Sequence, residues 1–192
     1  MKKSTITWIT IGVIALLLIV YVISGYNRFV SLNQDINGKW SEVENQYQRQ
    51  ADLIPNLVSV ISSAVKVETN YVKDITEART NWLNAKSDLE KDAAGVQMNN
   101  GVTALVSAVS ENYPQLKANT QYVALTDELS GTQNRIATAR GRYISSIQAY
   151  NTAVMRFPSN ILASIFGFGT KEYYKAENDS LNNPTLGTGT LP

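Results

Sequence analysis

Hydrophobic residues fall into two regimes along this chain. From Ser4 to Asn27 no residue is charged and Ile11 to Ile23 is almost purely aliphatic, whereas beyond it apolar residues recur at intervals of three and four. The first regime predicts a membrane-spanning helix over residues 6–25, after a short flank of residues 1–5. At ~1.5 Å rise per residue, roughly 20 apolar residues cross the ~30 Å hydrocarbon layer with every backbone group bonded internally. Trp8 stands near its start and Tyr21 and Tyr26 near its end, where amphipathic rings meet the headgroups. The second regime predicts helices. Phe29, Leu32, Ile36, Trp40, Val43, Tyr47, Ile54, Leu57, Ile61 and Ala64 share one stripe, so the first helix continues directly out of the span. Within it Pro55 removes the hydrogen bond to the carbonyl of Ala51, which predicts a kink near Ala51 to Pro55.

A second helix is predicted from Thr69 to Asp92, with Val72, Ile75, Ala78, Trp82, Ala85 and Leu89 inward. The two glycines and two asparagines between Ala94 and Gly101 read as a turn. A third helix covers Val102 to Glu111 and stops before Pro114, because the residue preceding proline is biased away from helix. A fourth carries Tyr122, Leu125, Leu129, Thr132, Ile136, Ala139, Tyr143, Ile147, Tyr150, Val154 and Phe157 inward and is stopped by Pro158. The apolar cluster Ile161, Leu162, Ile165, Phe166 and Phe168 is suited to packing under the domain or dipping into the bilayer surface. Residues 178–192, rich in Asn, Thr, Gly and Pro, read as a disordered tail. The fold class that follows is all-α, an N-terminal transmembrane helix and then an antiparallel four-helix bundle with long helices over residues 26–177.

Seventeen Lys and Arg against sixteen Asp and Glu, with no basic run, give no electrostatic footprint for nucleic acid. The chain has no cysteine and no histidine. That excludes a lipoprotein anchor, disulfides, thiol nucleophiles, His-liganded zinc and the Glu-x-x-His pairs of di-iron bundles. No cofactor, metal or catalytic residue is expected. Ser63 and Lys66, one helical turn apart, form a formal Ser/Lys dyad, but both types are common on helix surfaces. Asp88 with Glu90 and Asp127 with Glu128 point to different helix faces and read as solvated. Lys2 and Lys3 with Val22-Ile23-Ser24 give the alternative of a cleaved signal peptide, against which the apolar stretch is long and the cleavage match poor. Lys2 and Lys3 before the span, against Arg28 and Lys39 after it, place the N-terminus in the cytoplasm and the domain on the other side.

Several strings then stand out in order. They are Tyr26-Asn27-Arg28-Phe29-Val30, Gln50 to Val58 (QADLIPNLV), Glu111 to Asn119 (ENYPQLKAN), Asn134 to Arg140 (NRIATAR), Tyr150-Asn151-Thr152-Ala153 and Arg156-Phe157-Pro158. Over residues 1–177 this resembles the LemA family, with Gly141 standing where many members carry a basic residue. The resemblance implies a bacterial inner-membrane protein with one span and a helical-bundle domain.

The polar residues inside these strings are the candidate structural or partner contacts: Asp52, Pro55, Asn56, Tyr113, Pro114, Asn134, Arg135 and Arg140. Asp52 with Asn56, and Asn134 with Thr138, are four apart and form local patches. An ion pair between Asp52 and Arg135 or Arg140 would fix helix register, since partly buried polar groups need partners. Glu111, Asn112, Tyr113 and Pro114 read as a helix-ending turn, with a recognition loop as the alternative. The functional expectation is a membrane-tethered scaffold or adaptor that is not an enzyme. Its expected partners are the bilayer, through residues 6–25, and an unidentified membrane or envelope protein, with a second copy of the chain on the open face as a further option. The alternatives are a membrane-remodelling or envelope-stress-linked factor, and an enzyme using Ser63 and Lys66.

Overall fold

A computed structural model of the chain describes residues 3–65 and 69–173. Lys66 and the tail at 178–192 lie outside the described residues. Among the described residues the structure is helical without strands: α1 (Lys3–Ala64), α2 (Thr69–Asn84), α3 (Asp88–Asn112), α4 (Thr120–Met155) and α5 (Ser159–Phe166), with a 3-10 turn over Pro114–Ala118 between α3 and α4.

Helix α1 is unbroken from the apolar N-terminal region into the core of the domain. Its first part is long and apolar enough to cross a membrane and buries none of its most apolar stretch against the protein. Its second part buries the predicted stripe, from Phe29 through Trp40, Tyr47 and Ile54 to Ile61. Pro55 lies inside the helix without ending it. A proline strips its partner from the carbonyl four residues back, and that carbonyl, Ala51 O, instead accepts a hydrogen bond from Arg79 Nε of α2 at 2.7 Å. The residue that weakens α1 therefore creates the acceptor that docks α2.

Two expected boundaries are corrected. Helix α2 ends at Asn84, and α3 starts at Asp88 rather than Val102. Ser87 and Glu90 form a capping box: Ser87 Oγ accepts from Glu90 N at 3.2 Å, and Glu90 Oε2 accepts from Ser87 N at 3.3 Å and Lys86 N at 2.9 Å. These bonds satisfy donors that a helix start leaves orphaned. Leu89, assigned to the inward stripe, is accordingly 64% exposed. The expected turn at Ala94 to Gly101 is the middle of α3. Its glycines serve close approach: a Cβ on Gly95 would lie 2.6 Å from Tyr47 Cζ, and one on Gly101 3.0 Å from Ile75 Cδ1.

Asn119 caps α4, its Oδ1 accepting from Gln121 N and Tyr122 N at 3.0 and 3.1 Å. Helix α4 ends at Met155, so Phe157 falls beyond the stripe and is exposed rather than inward. Contacts between α1 and α4 run in opposite senses, as Trp40 meets Tyr143 and Arg49 meets Glu128. Those between α1 and α3 run in the same sense, Glu44 with Lys91 and Gln50 with Asn99. Helix α5 folds back on α1 where the apolar segment ends, and Phe168, just beyond α5, meets Phe29 at 5.0 Å between ring centroids.

Candidate functional site

A polar seam runs through the apolar interior where α1, α3 and α4 meet. At one point of it Asp92 of α3, buried, accepts from Arg140 Nη2 of α4 at 2.9 Å and is hydrogen-bonded to the Tyr47 hydroxyl of α1. Burial pushes the Asp92 carboxyl above its ordinary value, against the opposing pull of the Arg140 guanidinium and the Tyr47 hydroxyl. Burial likewise pushes the Tyr47 hydroxyl up, and the neighbouring Asp92 charge adds to it. At this level Lys91 pairs with Glu44 and lies 5.5 Å above the Trp82 ring.

Further along, three residues on from Tyr47 in α1 and seven on from Asp92 in α3, the buried Gln50 donates from Nε2 to Asn99 Oδ1 at 2.9 Å, and Gln133 of α4 donates to Thr103 Oγ1 at 3.1 Å. The buried members, Asp92 and Gln50, lack water and need these partners in one register. Sliding one helix against its neighbour by a turn would strand them.

The expected pairing of Asp52 with Arg135 or Arg140 is not what forms. Asp52 is exposed and accepts from Gln48 Nε2 on its own helix at 2.8 Å. Arg140 takes Asp92. Arg135 bonds Glu128 Oε1 at 2.9 Å, and the same carboxylate oxygen is met by Arg49 of α1 at 2.6 Å. The periodicity of α1 explains the difference: Asp52 follows the buried Ala51 and is carried to the solvent side. The buried partner of Arg140 is Asp92 instead, at a position where the glycines and asparagines that follow point to a helix end and a turn. The Ser87-x-x-Glu90 signature restores the helix, and Asp92, Gly95 and Asn99 then fall on one face.

The other candidates divide by location. Tyr113 and Pro114 make a helix-ending turn: Tyr113 N donates to Val109 O at 2.9 Å, and Tyr113 O accepts from Leu116 N at 3.0 Å. Asn134 and Arg135 line an open groove of about 490 Å³ between α1 and α4, with Glu42, Asn45, Gln46 and Arg142 around it. Gln46 Oε1 is buried at this groove and accepts no hydrogen bond from the protein. Asn56 lines a second groove on these two helices, with Ser59 and Gln121. The Ser63 hydroxyl donates to Val60 O at 2.9 Å. Among the described residues no cluster of three acidic side chains is placed to hold a metal ion.

Comparison with known proteins adds three observations. The model of the LemA family matches residues 39–186. Magnetosome proteins MamQ 1 and MamQ 2 of Paramagnetospirillum magneticum are each 27% identical over 195 aligned positions, covering 87% of this chain and 72% of theirs. Magnetosome protein MamQ of Magnetospirillum gryphiswaldense is 24% identical over 174 positions, covering 78% of this chain and 64% of its own.

Proposed function

The chain belongs to the LemA family, and from that premise we propose that it is a single-pass scaffold of the bacterial inner membrane, holding a protein partner near the bilayer and performing no catalysis. The observation that carries this reading is the continuity of α1. One helix links an apolar segment of membrane-crossing length to the buried seam, so force or position is passed from bilayer to domain without a flexible joint. We read α1 to α4 as an antiparallel four-helix bundle on the non-cytoplasmic side. The alternating senses of the contacts described above support the first part, and the balance of flanking lysines and arginines supports the second.

The partner surface in this reading is the groove lined by Asn134 and Arg135. Asn45 and Asn134 line it with amides, and Arg142 and Glu42 give its rim both signs of charge. Such a mixed polar surface suits an extended segment of another protein better than a small apolar ligand. A photo-crosslinking residue placed at Thr138 in living cells tests this, with one at Lys73 on α2 as the comparison. The expected result is a discrete protein adduct from position 138 that Arg142→Glu weakens. Equal adducts at both positions, or none at 138, would exclude the groove as the partner surface.

A further inference from the structure

Helix α5 presents an apolar face to the outside at the level where the membrane segment ends. Phe157 is 76% exposed, Ile161 52% and Ile165 69%. Ile161 and Ile165 are four apart and share one side of the helix, while Leu162 and Ala163 are buried. This exposure is not fraying. A Cβ on Gly25 would lie 2.7 Å from Leu162 Cδ1, Phe166 meets Tyr26 edge-on at 5.2 Å, and Asn151 clamps the segment after α5 by two bonds to the Lys171 backbone, at 2.7 and 2.8 Å. Both ends of the element are therefore fixed to the protein.

Depth follows from α1. If residues 6–25 cross the hydrocarbon, Gly25 stands at its edge, and the contact with Leu162 puts α5 at that same edge. The charges agree with that placement. From Phe157 to Thr170 no residue is charged, whereas Arg156 precedes and Lys171 follows. Arg28, the first charge after the membrane segment, shares a groove with Arg156 and Ser159, and among the described residues neither arginine is in an ion pair. An uncharged apolar face rimmed by cations is the pattern of a helix lying in a membrane interface, with its cations at the phosphate level.

We propose that α5 is a second membrane contact. It lies along the leaflet in which the span ends, with Ile161 and Ile165 turned into the acyl boundary and Arg28 and Arg156 meeting lipid phosphate. Together with the span it would fix the tilt of the domain on the bilayer, which one helix alone leaves free. The inference rests on the reading of residues 6–25 as a span, so its test separates the two.

The cysteine-free chain allows single environment-sensitive labels on the full-length protein in phosphatidylcholine and phosphatidylglycerol vesicles. Labels would be placed at Leu17→Cys, Ile161→Cys, Ile165→Cys and Ser62→Cys, the last roughly 55 Å along α1 from Gly25. Quenching by nitroxide lipids is compared with quenching by aqueous iodide. The expected result is lipid quenching at 17, 161 and 165 and iodide quenching at 62, with the lipid quenching at 165 reduced by Arg28→Gln with Arg156→Gln. Iodide quenching at 161 and 165 with lipid quenching at 17 would overturn the role of α5 and leave the span standing. Shielding of 161 and 165 from both quenchers would mean that protein covers the face, which also overturns it. Iodide quenching at 17 would remove the span and the proposal together.

Discussion

Asp92 is nearly out of water, and its carboxylate is matched by a guanidinium from one neighbouring helix and a phenol from another. Removing one member of a buried pair leaves the other uncompensated, at a cost of several kcal/mol. Arg140 is partly exposed, which tempers that figure, so Arg140→Ala is expected to destabilise the domain by about 2–3 kcal/mol in urea unfolding. Asp52→Ala, at an exposed carboxylate bonded only within its own turn, should cost less than about 0.5 kcal/mol. The pH dependence carries its own sign. A carboxyl whose folded pKa is raised binds its proton more tightly folded than unfolded, so its contribution to stability is full below the ordinary value and is lost as pH rises through the folded value. Wild type should therefore lose stability relative to Asp92→Asn as pH climbs from about 4 through the carboxylate range. A difference that grows in the opposite direction would assign Asp92 a depressed value. At this scale the sequence was a partial guide. Arg140 was legible as one of two candidates for an inter-helix ion pair, but its partner was not, because such a pairing depends on how far one helix is slid and turned against another, which no spacing along one helix encodes.

Among the elements, the long stripes of α1 and α4 were readable because three- and four-residue spacing over many turns leaves only one face to bury. The α2–α3 boundary was not, because glycine and asparagine carry two meanings. They mark turns when the backbone needs them, and they mark close helix contacts when a neighbour such as the Tyr47 ring occupies the space of a missing side chain. Pro55 shows a related compensation, since Arg79 satisfies the carbonyl that the proline abandons. A double-mutant cycle tests it. Arg79→Ala alone should cost about 1–3 kcal/mol, the penalty of stranding a buried acceptor. In a Pro55→Ala background, where the helix supplies its own N–H to Ala51, the same change should cost markedly less. Equal costs in both backgrounds would mean that Arg79 contributes by packing alone.

For the whole molecule, the picture is one unbroken helix, apolar enough at its N-terminal end to cross a membrane, with the other helices packed along the rest of it. A helix of membrane-crossing length was legible in the sequence from the uncharged run, and family membership from the ordered strings; the groove at Asn134 and Arg135 was not, since it exists only once α1 and α4 lie side by side. The most direct test of a membrane-anchored scaffold facing away from the cytoplasm exploits the absence of native cysteine. A single Glu77→Cys on the exposed side of α2 is treated with a membrane-impermeant maleimide, in intact cells and after lysis. The account predicts labelling in intact cells, with the protein recovered in the membrane fraction. Labelling that appears only after lysis would place the domain in the cytoplasm and contradict it.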